Sequence, residues 1–394
     1  MGYLKEYIDR GYTPNDLLDE LVRLIKRYNS LTHRYLYLYV AAISKRIPGI
    51  TMEVDDFYII RDMLQSVQEK EIDIYIETPG GKGEAAEQIA KFLHSKFDKV
   101  SFVVSGEAKS AGTILVMSGN EIYMTETGSL GPIDAQISIG RTVVSAYDYM
   151  EWINSKMKDA TKQGRLNPVD ATMIAQITPG EIHLVNHSLE FAKDLVKEWL
   201  YQYKFADWSI TSTRGEKVTD LMKKRRANKV AAELAKHSRW KTHGRSLGIE
   251  DLEAIGLQIV NLEKDKQVAE IVHRIQFVCK LLQETSSMYK LFLSKDERII
   301  KNSVQANIHN NQPIAGIKGI PQDTKVIKIE MQCEKCGRKH YFYKKLVDNN
   351  DIDEEMIRQN IKPLPLEDAF ECECKNHIDL KAVKNELDML PKVR

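Results

Sequence analysis

The chain has 394 residues and nearly balanced charge, with 57 Lys and Arg against 56 Asp and Glu. The resulting formal net charge of +1 argues against nucleic-acid binding driven by bulk charge. The apolar fraction of 43% is ordinary for a globular protein and excludes wholesale disorder. Five cysteines do not make a disulfide scaffold in so long a chain, so the composition indicates a folded protein of a reducing compartment.

No stretch of the sequence is long and apolar enough to cross a bilayer. The longest apolar run is the nine residues from Tyr35 to Ile43, whereas a spanning helix needs about 20. The first thirty residues are too highly charged to contain the apolar stretch of a signal peptide. We therefore expect a soluble, cytoplasmic protein without a membrane span.

Helices and strands alternate through the first third of the chain. Thr13-Pro14 supplies a cap and a first-turn proline for a helix over residues 13–30, which precedes a buried strand over 35–42. Further helices are predicted over 55–66, 84–94 and 110–117, and further strands over 72–77, 100–104 and 121–124. This order predicts an α/β core with largely parallel strands.

The remainder of the chain reads as helices, a linker and a separate module. Residues 145–240 are predicted to be mostly helical, and residues 257–284 form an amphipathic helix that is a candidate oligomer contact. The run Lys223-Lys224-Arg225-Arg226 is interpreted as a solvated helix face, so nucleic acid is not an expected partner. The predicted domains are an N-terminal helical segment 1–34, a central domain 35–301, a linker 302–323 and a C-terminal module 324–394.

A serine at a predicted strand-to-helix turn is the first candidate for chemistry. Ala108-Lys109-Ser110-Ala111-Gly112 is a G-x-S-x-G elbow in which Ala108 replaces the first glycine. The helix start favours developing negative charge, and the amide of Ala111 could stabilise an oxyanion. The same residues also fit an ordinary helix start with Ser110 as the N-cap.

Two loops that follow neighbouring strands extend this pattern. In Thr78-Pro79-Gly80-Gly81 the two glycines allow backbone amides to face a ligand, although the same residues also fit a plain turn. The second loop, Ser129-Leu-Gly-Pro-Ile-Asp-Ala-Gln136, follows the next strand.

The three motifs together resemble the Clp-protease/crotonase superfamily. Thr-Pro-Gly-Gly, Ser-Ala-Gly-Thr and Leu-Gly-Pro-Ile-Asp-x-Gln follow one another in the order typical of that superfamily. The likeness is greatest to the serine dehydrogenase proteinase branch, related to signal-peptide peptidase A, and extends from about Tyr35 to Val260 through a late segment beginning at Trp240. The resemblance implies an α/β spiral of β-β-α units followed by helices, assembly into a homo-oligomer, and a peptide-hydrolysing serine.

Carried over by position, the resemblance implies that Ser110 is the nucleophile. It places the oxyanion hole at Gly80-Gly81 and Ala111, with the amides of Gly81 and Ala111 as donors. Asp134 occupies the position of the Clp-protease histidine, and His243 lies beside the position of its aspartate. Because a serine hydroxyl needs a base and an imidazole suits that role, we predict a triad of Ser110, His243 and Asp134.

Other interpretations stay open at this stage. Signal-peptide peptidase A and its relatives use a lysine base, for which Lys156 and Lys158 are candidates, whereas Lys109 would point away from the Ser110 side chain. A crotonase-type acyl-CoA enzyme would need the paired amides but no nucleophilic serine, and a third alternative is a catalytically inactive oligomeric interaction module. We favour a serine endopeptidase that hydrolyses peptides or unfolded proteins through an acyl-enzyme.

The other candidate site consists of cysteines near the C-terminus. Cys333 and Cys336 form a C-x2-C-G knuckle, and Cys372 and Cys374 follow as a C-x-C pair. Two close pairs on two turns are what a tetrahedral thiolate site needs, so we expect one structural zinc ion. The reserve ligands are His340 and His377.

The sequence around these pairs resembles a zinc ribbon. Apolar residues at 327, 329 and 331 precede the first knuckle at strand spacing, and the aromatic residues 341–343 follow it as the return strand of a hairpin. An acidic insert over 348–368 separates the hairpin from the second pair. The fifth cysteine, Cys279, lies within a predicted helix and is expected in the core.

Overall fold

The computed structural model of the chain describes residues 2–45, 47–139, 142–211, 214–303, 326–333, 335–346, 350–359, 361–380 and 384. The chain divides into two compact units, Met1–Ser303 and Val304–Arg394. Apart from Asn302 and Ser303, the predicted linker 302–323 lies outside the described residues.

A sheet of seven strands organises the first unit. In chain order the strands of this unit are β1 (Tyr35–Ala41), β2 (Glu71–Glu77), β3 (Lys99–Val104), β4 (Glu107–Ala108), β5 (Glu121–Met124), β6 (Ser129–Leu130), β7 (Gln136–Ile139), β8 (Thr142–Ser145), β9 (Val260–Asn261), β10 (Met288–Leu293) and β11 (Arg298–Asn302). The sheet order is β11-β10-β1-β2-β3-β5-β9. Strands β1, β2, β3, β5 and β9 are parallel, and β10 and β11 form an antiparallel edge, so the predicted α/β core is confirmed.

Several helices of this unit begin at a residue whose side chain caps them. They are α1 (Tyr3–Asp9), α2 (Pro14–Thr32), α3 (Val54–Leu64), α4 (Gly83–Lys96), α5 (Ala111–Val116), α6 (Ala146–Gln163), α7 (Pro168–Ile174), α8 (Pro179–Trp199), α9 (Asp220–Leu234), α10 (His237–Trp240), α11 (Ile249–Ile255) and α12 (Lys266–Thr285). Thr13 and Asp16 form a reciprocal capping box at α2. At α8, the side chain of Thr178 accepts a hydrogen bond from the Glu181 backbone amide. No helix in the described ranges has both the length and the apolarity to cross a bilayer.

The helix predicted over 257–284 begins later than expected. Val260 pairs with Tyr123 as part of β9, and a short 3-10 turn over Leu262–Lys264 follows it. Helix α12 starts only after Asp265, whose carboxylate accepts the amides of Gln267 and Val268. Its apolar face, including Cys279, packs against α2 and the sheet within the same chain, and an oligomer contact through this helix stays a prediction.

Both faces of the sheet are buried, which makes the unit a three-layer sandwich. Along β1, the three tyrosines at 35, 37 and 39 belong to one apolar cluster, and Leu36, Leu38 and Val40 belong to another. Strand side chains alternate between faces, so the two clusters lie on opposite sides of the sheet. The tyrosine side packs against α3, α4, α8 and α9, and the leucine side packs against α2 and α12. Because both faces are buried, the sequences of the central strands are nearly continuous apolar runs.

A buried ion cluster joins the antiparallel edge of the sheet to α3. Asp56 accepts hydrogen bonds from Tyr39 Oη at 2.9 Å, Lys290 Nζ at 2.7 Å and Lys301 Nζ at 3.0 Å. Lys290 also donates to the Thr51 carbonyl at 2.8 Å. Asp56 and Lys290 are fully buried, so each charge depends on the other for compensation.

The described part of the second unit contains a three-stranded sheet, which includes one hairpin, and a separate two-stranded hairpin. Its elements are β12 (Val326–Gln332), β13 (Lys339–Lys345), α13 (Asn350–Arg358), β14 (Lys362–Pro363), β15 (Ala369–Glu371) and β16 (His377–Asp379). Strands β12 and β13 pair antiparallel, as predicted for the hairpin around the first cysteine pair. Strands β15 and β16 form a second antiparallel hairpin around the second pair. Much of the predicted acidic insert is occupied by α13 and β14.

Replacing Asp56 by alanine is expected to lower the free energy of unfolding by about 3–5 kcal/mol, since it leaves the buried Lys290 ammonium uncompensated. Urea unfolding of the full chain measures this difference. The matched control is Asp55→Ala, which removes an exposed carboxylate from the same helix turn and should cost about 0.5 kcal/mol. Equal urea midpoints for the two variants would contradict the assigned role of Asp56.

Candidate active site and cysteine cluster

Ser110 lies in an unusual backbone conformation between β4 and α5. Its φ is 51° and its ψ is −118°, outside the regions that non-glycine residues ordinarily occupy. The expectation that its hydroxyl caps the helix is wrong, because α5 has no side-chain cap bond. Among the described residues no hydrogen bond engages the Ser110 hydroxyl, which is only partly buried. The strained turn therefore presents a Ser110 hydroxyl that does not cap α5.

Gly80 and Gly81 form a loop that presses directly against Ser110. Their φ angles are 101° and 150°, and a Cβ atom on Gly80 would lie 2.6 Å from the Ser110 Cβ. A Cβ on Gly81 would lie 2.3 Å from the Met52 carbonyl oxygen. The Met52 amide donates to the Gly80 carbonyl at 2.7 Å, and the Lys82 amide donates to the Met52 carbonyl at 2.9 Å. Only glycine satisfies both the positive φ and the close approach at these two positions.

The amides assigned to an oxyanion hole are available in this geometry. Within the described part of the chain, neither the Gly81 amide nor the Ala111 amide donates a hydrogen bond. Ala111 follows Ser110 directly in the chain, and Gly80, the residue before Gly81, packs against the Ser110 side chain. Backbone N–H groups without protein acceptors beside a nucleophile are the donors that a tetrahedral oxyanion requires.

Asp134 and His243 are brought together although 109 positions separate them in the chain. His243 Nδ1 lies 2.8 Å from Asp134 Oδ1, the carboxylate side chain is fully buried, and the imidazole is 22% exposed. This arrangement holds one ring nitrogen on the carboxylate. In the neutral tautomer with a proton on Nδ1, Nε2 is left as a proton acceptor.

The pairing of Asp134 with His243 follows from strand register. Leu130 and Leu247 exchange backbone hydrogen bonds of 3.1 and 2.9 Å as an antiparallel bridge. Counting four residues forward from Leu130 and four back from Leu247 reaches Asp134 and His243. On its other side, Leu130 pairs in parallel with Ala108, two residues before Ser110. All three predicted triad residues therefore lie beyond the same end of one short ladder.

The structure also locates the remaining base candidates. No hydrogen bond joins Ser110 to His243 or Asp134 within the described ranges. Lys156, on α6, forms an ion pair of 3.0 Å with Asp170 of α7, and Lys158 is exposed on the same helix.

The sequence analysis did not predict the contact of Met52 with the glycine loop, because an isolated methionine carries no functional signal in a sequence.

The four C-terminal cysteines form one cluster in the second unit. Their sulfur atoms all lie within 4.8 Å of one another, with 3.5 Å between the sulfurs of Cys333 and Cys374 and 3.6 Å between those of Cys336 and Cys372. These separations exceed the roughly 2.05 Å of a disulfide bond. The backbone amide of Cys336 donates to the Cys333 sulfur, which lowers the pKa of that thiol to about 6. The cluster therefore offers four sulfur ligands at short range.

Neither reserve ligand belongs to this group of four. His340 lies in β13 with its Nε2 3.2 Å from the Cys372 sulfur. His377 lies in β16. The Asn376 side-chain amide lies 3.6 Å from the Cys333 sulfur. The histidine of β13 and the asparagine are thus placed as neighbours of the sulfur atoms.

Residues 47–198 match the sequence model of the ClpP-like SDH-type serine proteinase family. The family resemblance predicted from the motifs is thereby confirmed. The matched segment includes the glycine loop, Ser110 and Asp134, and it ends before His243.

Two curated relatives are similar to part of the chain. Both are uncharacterized proteins of Methanocaldococcus jannaschii. MJ0137 is 39% identical over 88 residues, covering 22% of this chain and 30% of the relative. MJ1495 is 31% identical over 117 residues, covering 30% of this chain and 37% of the relative. The chain thus spans about a third of the length of these curated relatives.

Among solved structures, the chain is similar to two variants of the 1510-N membrane-bound stomatin-specific protease. One match covers 55% of this chain and 76% of that chain, with 14% identity and a TM-score of 0.30. The other, a complex with a substrate peptide, covers 64% of this chain and 83% of that chain, with 15% identity and a TM-score of 0.33.

Because the Ser110 hydroxyl makes no cap bond, Ser110→Ala should leave the free energy of unfolding nearly unchanged. Ser110→Gly should be more stable than Ser110→Ala by about 1 kcal/mol, since glycine accepts the positive φ without strain. Chemical unfolding of the three proteins measures both differences. The control is Ser188, in the interior of α8, where the order should reverse because glycine costs about 1 kcal/mol relative to alanine inside a helix. A stability of Ser110→Ala equal to that of Ser110→Gly would contradict the strained conformation.

Proposed function

We propose that this chain is a serine endopeptidase in which Ser110 is the nucleophile. The observation that carries the proposal is the strained turn of Ser110, packed against a glycine loop inside the segment that matches a serine proteinase family. A half-buried hydroxyl on a strained strand-to-helix turn fits the arrangement of a nucleophile elbow. Its substrates would be peptides or unfolded proteins, and a homo-oligomer is the expected assembly.

In the proposed mechanism His243 is the general base and Asp134 orients it. The carboxylate of Asp134 holds Nδ1 of the imidazole, so Nε2 takes the proton from the Ser110 hydroxyl as its oxygen attacks the scissile carbonyl. The same proton then passes to the leaving amine, and the acyl group stays on the Ser110 oxygen. A water molecule, deprotonated by the same imidazole, attacks the acyl ester, and the imidazolium returns that proton to the Ser110 oxygen as the acid leaves.

The backbone amides of Gly81 and Ala111 are the proposed oxyanion hole. Both lack protein acceptors among the described residues, and Gly80 lies against the serine side chain. Such amides act only if they are fixed before the charge develops, because movement during the reaction would cost part of the stabilisation. The two hydrogen bonds between the glycine loop and Met52 supply that rigidity.

A lysine base has weaker support from the geometry. The Lys156 ammonium is paired with the Asp170 carboxylate, and a protonated amine held by a carboxylate cannot accept the serine proton. For Lys158, which is exposed on α6, no contact in the described ranges leads toward Ser110. We therefore assign the base to His243.

Labelling with a fluorophosphonate probe tests the nucleophile. The wild-type protein should be acylated at Ser110, and Ser110→Ala should not react, because its oxygen is missing. The control is Ser95→Ala, which removes an exposed hydroxyl bonded to a helix carbonyl and should label normally. Labelling of Ser110→Ala at the wild-type rate would refute the nucleophile, and an unlabelled wild type with acyl-CoA turnover would indicate the crotonase alternative.

The base is tested by the rate of the same labelling. His243→Ala should react at least about 100-fold more slowly, which is the usual contribution of a positioned base. The matched control is His273→Ala, which removes the histidine of a second His–carboxylate pair, 2.9 Å from Glu263, and should react normally. A normal rate in His243→Ala together with a loss in Lys156→Ala or Lys158→Ala would move the role to lysine.

We further propose that Cys333, Cys336, Cys372 and Cys374 bind one structural zinc ion. Zn–S bonds of about 2.3 Å in a tetrahedron place sulfur atoms about 3.8 Å apart. The two sulfur pairs at 3.5 and 3.6 Å are close to that spacing. Four protein ligands leave no open position for water, so the ion would stabilise the fold and take no part in hydrolysis.

The zinc proposal is tested by elemental analysis of purified protein. One zinc per chain is expected, and Cys336→Ser should lose it, whereas the control Cys279→Ala removes a thiol from the core of the first unit and should keep it. A chelator should make the second unit protease-sensitive, because metal binding supplies much of the folding free energy of so small a core. A zinc content near zero after metal-replete expression would refute the site.

A further inference from the structure

Lys109, the residue before Ser110, has a side chain that ends between two other segments of the site, β6 and the loop that contains Ser246. Its Nζ donates to Ser246 Oγ at 2.8 Å, to Ser129 Oγ at 3.1 Å and to the Leu130 carbonyl at 3.1 Å. A lysine ammonium has three protons, so these bonds use all of its donors. The residue is only 7% exposed.

Each partner of Lys109 belongs to a segment that carries a member of the proposed triad. Ser129 and Leu130 form β6, and Asp134 follows four residues after Leu130. Ser246 lies three residues after His243. Lys109 itself is bonded covalently to Ser110. One ammonium group therefore connects the backbone at the nucleophile to the loops of the orienting carboxylate and the base.

The methylene chain of Lys109, its stem, is packed as closely as its ammonium group. A Cβ atom on Gly131 would lie 3.1 Å from Lys109 Cδ and 3.4 Å from its Cα. The lysine stem thus passes directly beneath the turn that leads from β6 to Asp134. Because the packing leaves little space around the stem, the ammonium cannot reach its three acceptors from another rotamer without moving that turn.

Burying the Lys109 ammonium group costs desolvation free energy, and hydrogen bonds to neutral acceptors offset only part of that cost. All three acceptors are uncharged oxygens, and burial lowers the pKa of Lys109. An apolar side chain would fill the same space without desolvating an ammonium group. The three directional bonds provide what an apolar residue cannot, namely a fixed orientation between the segments.

We propose that Lys109 is a positioning residue that fixes Ser110 relative to the segments carrying Asp134 and His243. This inference rests on the proposed triad. A displacement of about 1 Å between reacting groups can cost about 100-fold in rate, so loss of the three bonds should affect the reaction more than the fold.

The test compares wild type with Lys109→Met, which keeps the stem and removes the donors. Two quantities are measured, the rate of fluorophosphonate labelling at Ser110 and the NMR resonance of the His243 Nδ1 proton, assigned by its loss in His243→Ala. Lys109→Met should unfold cooperatively, label about 10- to 100-fold more slowly, and lose or shift the resonance.

The matched control is Lys204→Met. Lys204 is another buried lysine, bonded to the Glu121 carboxylate at 2.6 Å and the Asn120 carbonyl at 3.3 Å. This variant should lose stability, yet label at the wild-type rate and keep the resonance. Wild-type values of both quantities in Lys109→Met overturn the proposal. Equal losses in the two variants also overturn it, since they would show only that removing a buried lysine loosens the fold.

Two further variants decide the case in which Lys109→Met does not fold. Ser246→Ala and Ser129→Ala each remove one acceptor and should slow labelling several-fold, whereas wild-type rates in both overturn the proposal. If wild type itself does not label, the proposed nucleophile fails and the resonance decides alone. Its loss in Lys109→Met supports the positioning role, and its persistence refutes that role.

Discussion

A short ladder of backbone hydrogen bonds is the constraint on which the candidate active site depends. Thr78 pairs with Ala108, Ala108 pairs with Leu130, and Leu130 pairs with Leu247. Beyond the same end of this ladder lie, in order, the glycine loop, the Ser110 turn, Asp134 and His243. A slip of one residue anywhere in the ladder would turn side chains to the opposite face and separate the groups.

The buried ion cluster is connected to the glycine loop through Thr51 and Met52. Lys290 holds the Thr51 carbonyl, and Met52, the next residue, exchanges backbone hydrogen bonds with the loop at Gly80 and Lys82. Burying these charges costs free energy, but Asp56 compensates the charge of Lys290 through a direct ion pair of 2.7 Å. The antiparallel edge of the sheet thus contributes to the site although it lies far along the chain from Ser110.

The second unit depends on a different kind of interaction. Its described residues form three small apolar clusters with three buried side chains each, around Phe342, Cys333 and Met356. So little apolar burial supplies only a small part of the free energy needed to order two hairpins. The proposed zinc site would join the hairpin of β12 and β13 to that of β15 and β16, since each contributes one cysteine pair.

The sequence by itself determined the local elements and the types of residue at the site. Helical spacing and the Thr13-Pro14 cap placed α2 within two residues of its ends, and strand alternation placed β2 within one. The glycine pair, the serine turn and the cysteine spacing each carry their chemistry within a few consecutive residues. Such features depend on nearest neighbours along the chain, so a sequence contains them in full.

Only the tertiary structure decided how distant residues meet. The bond between Asp134 and His243, the three partners of Lys109 and the contact of Met52 with the glycine loop join segments far apart in the chain. The late start of α12 has the same origin, because Val260 and Asn261 are drawn into a strand by pairing with β5. The physical reason is that strand register and side-chain packing are set between segments, where local propensity exerts no control.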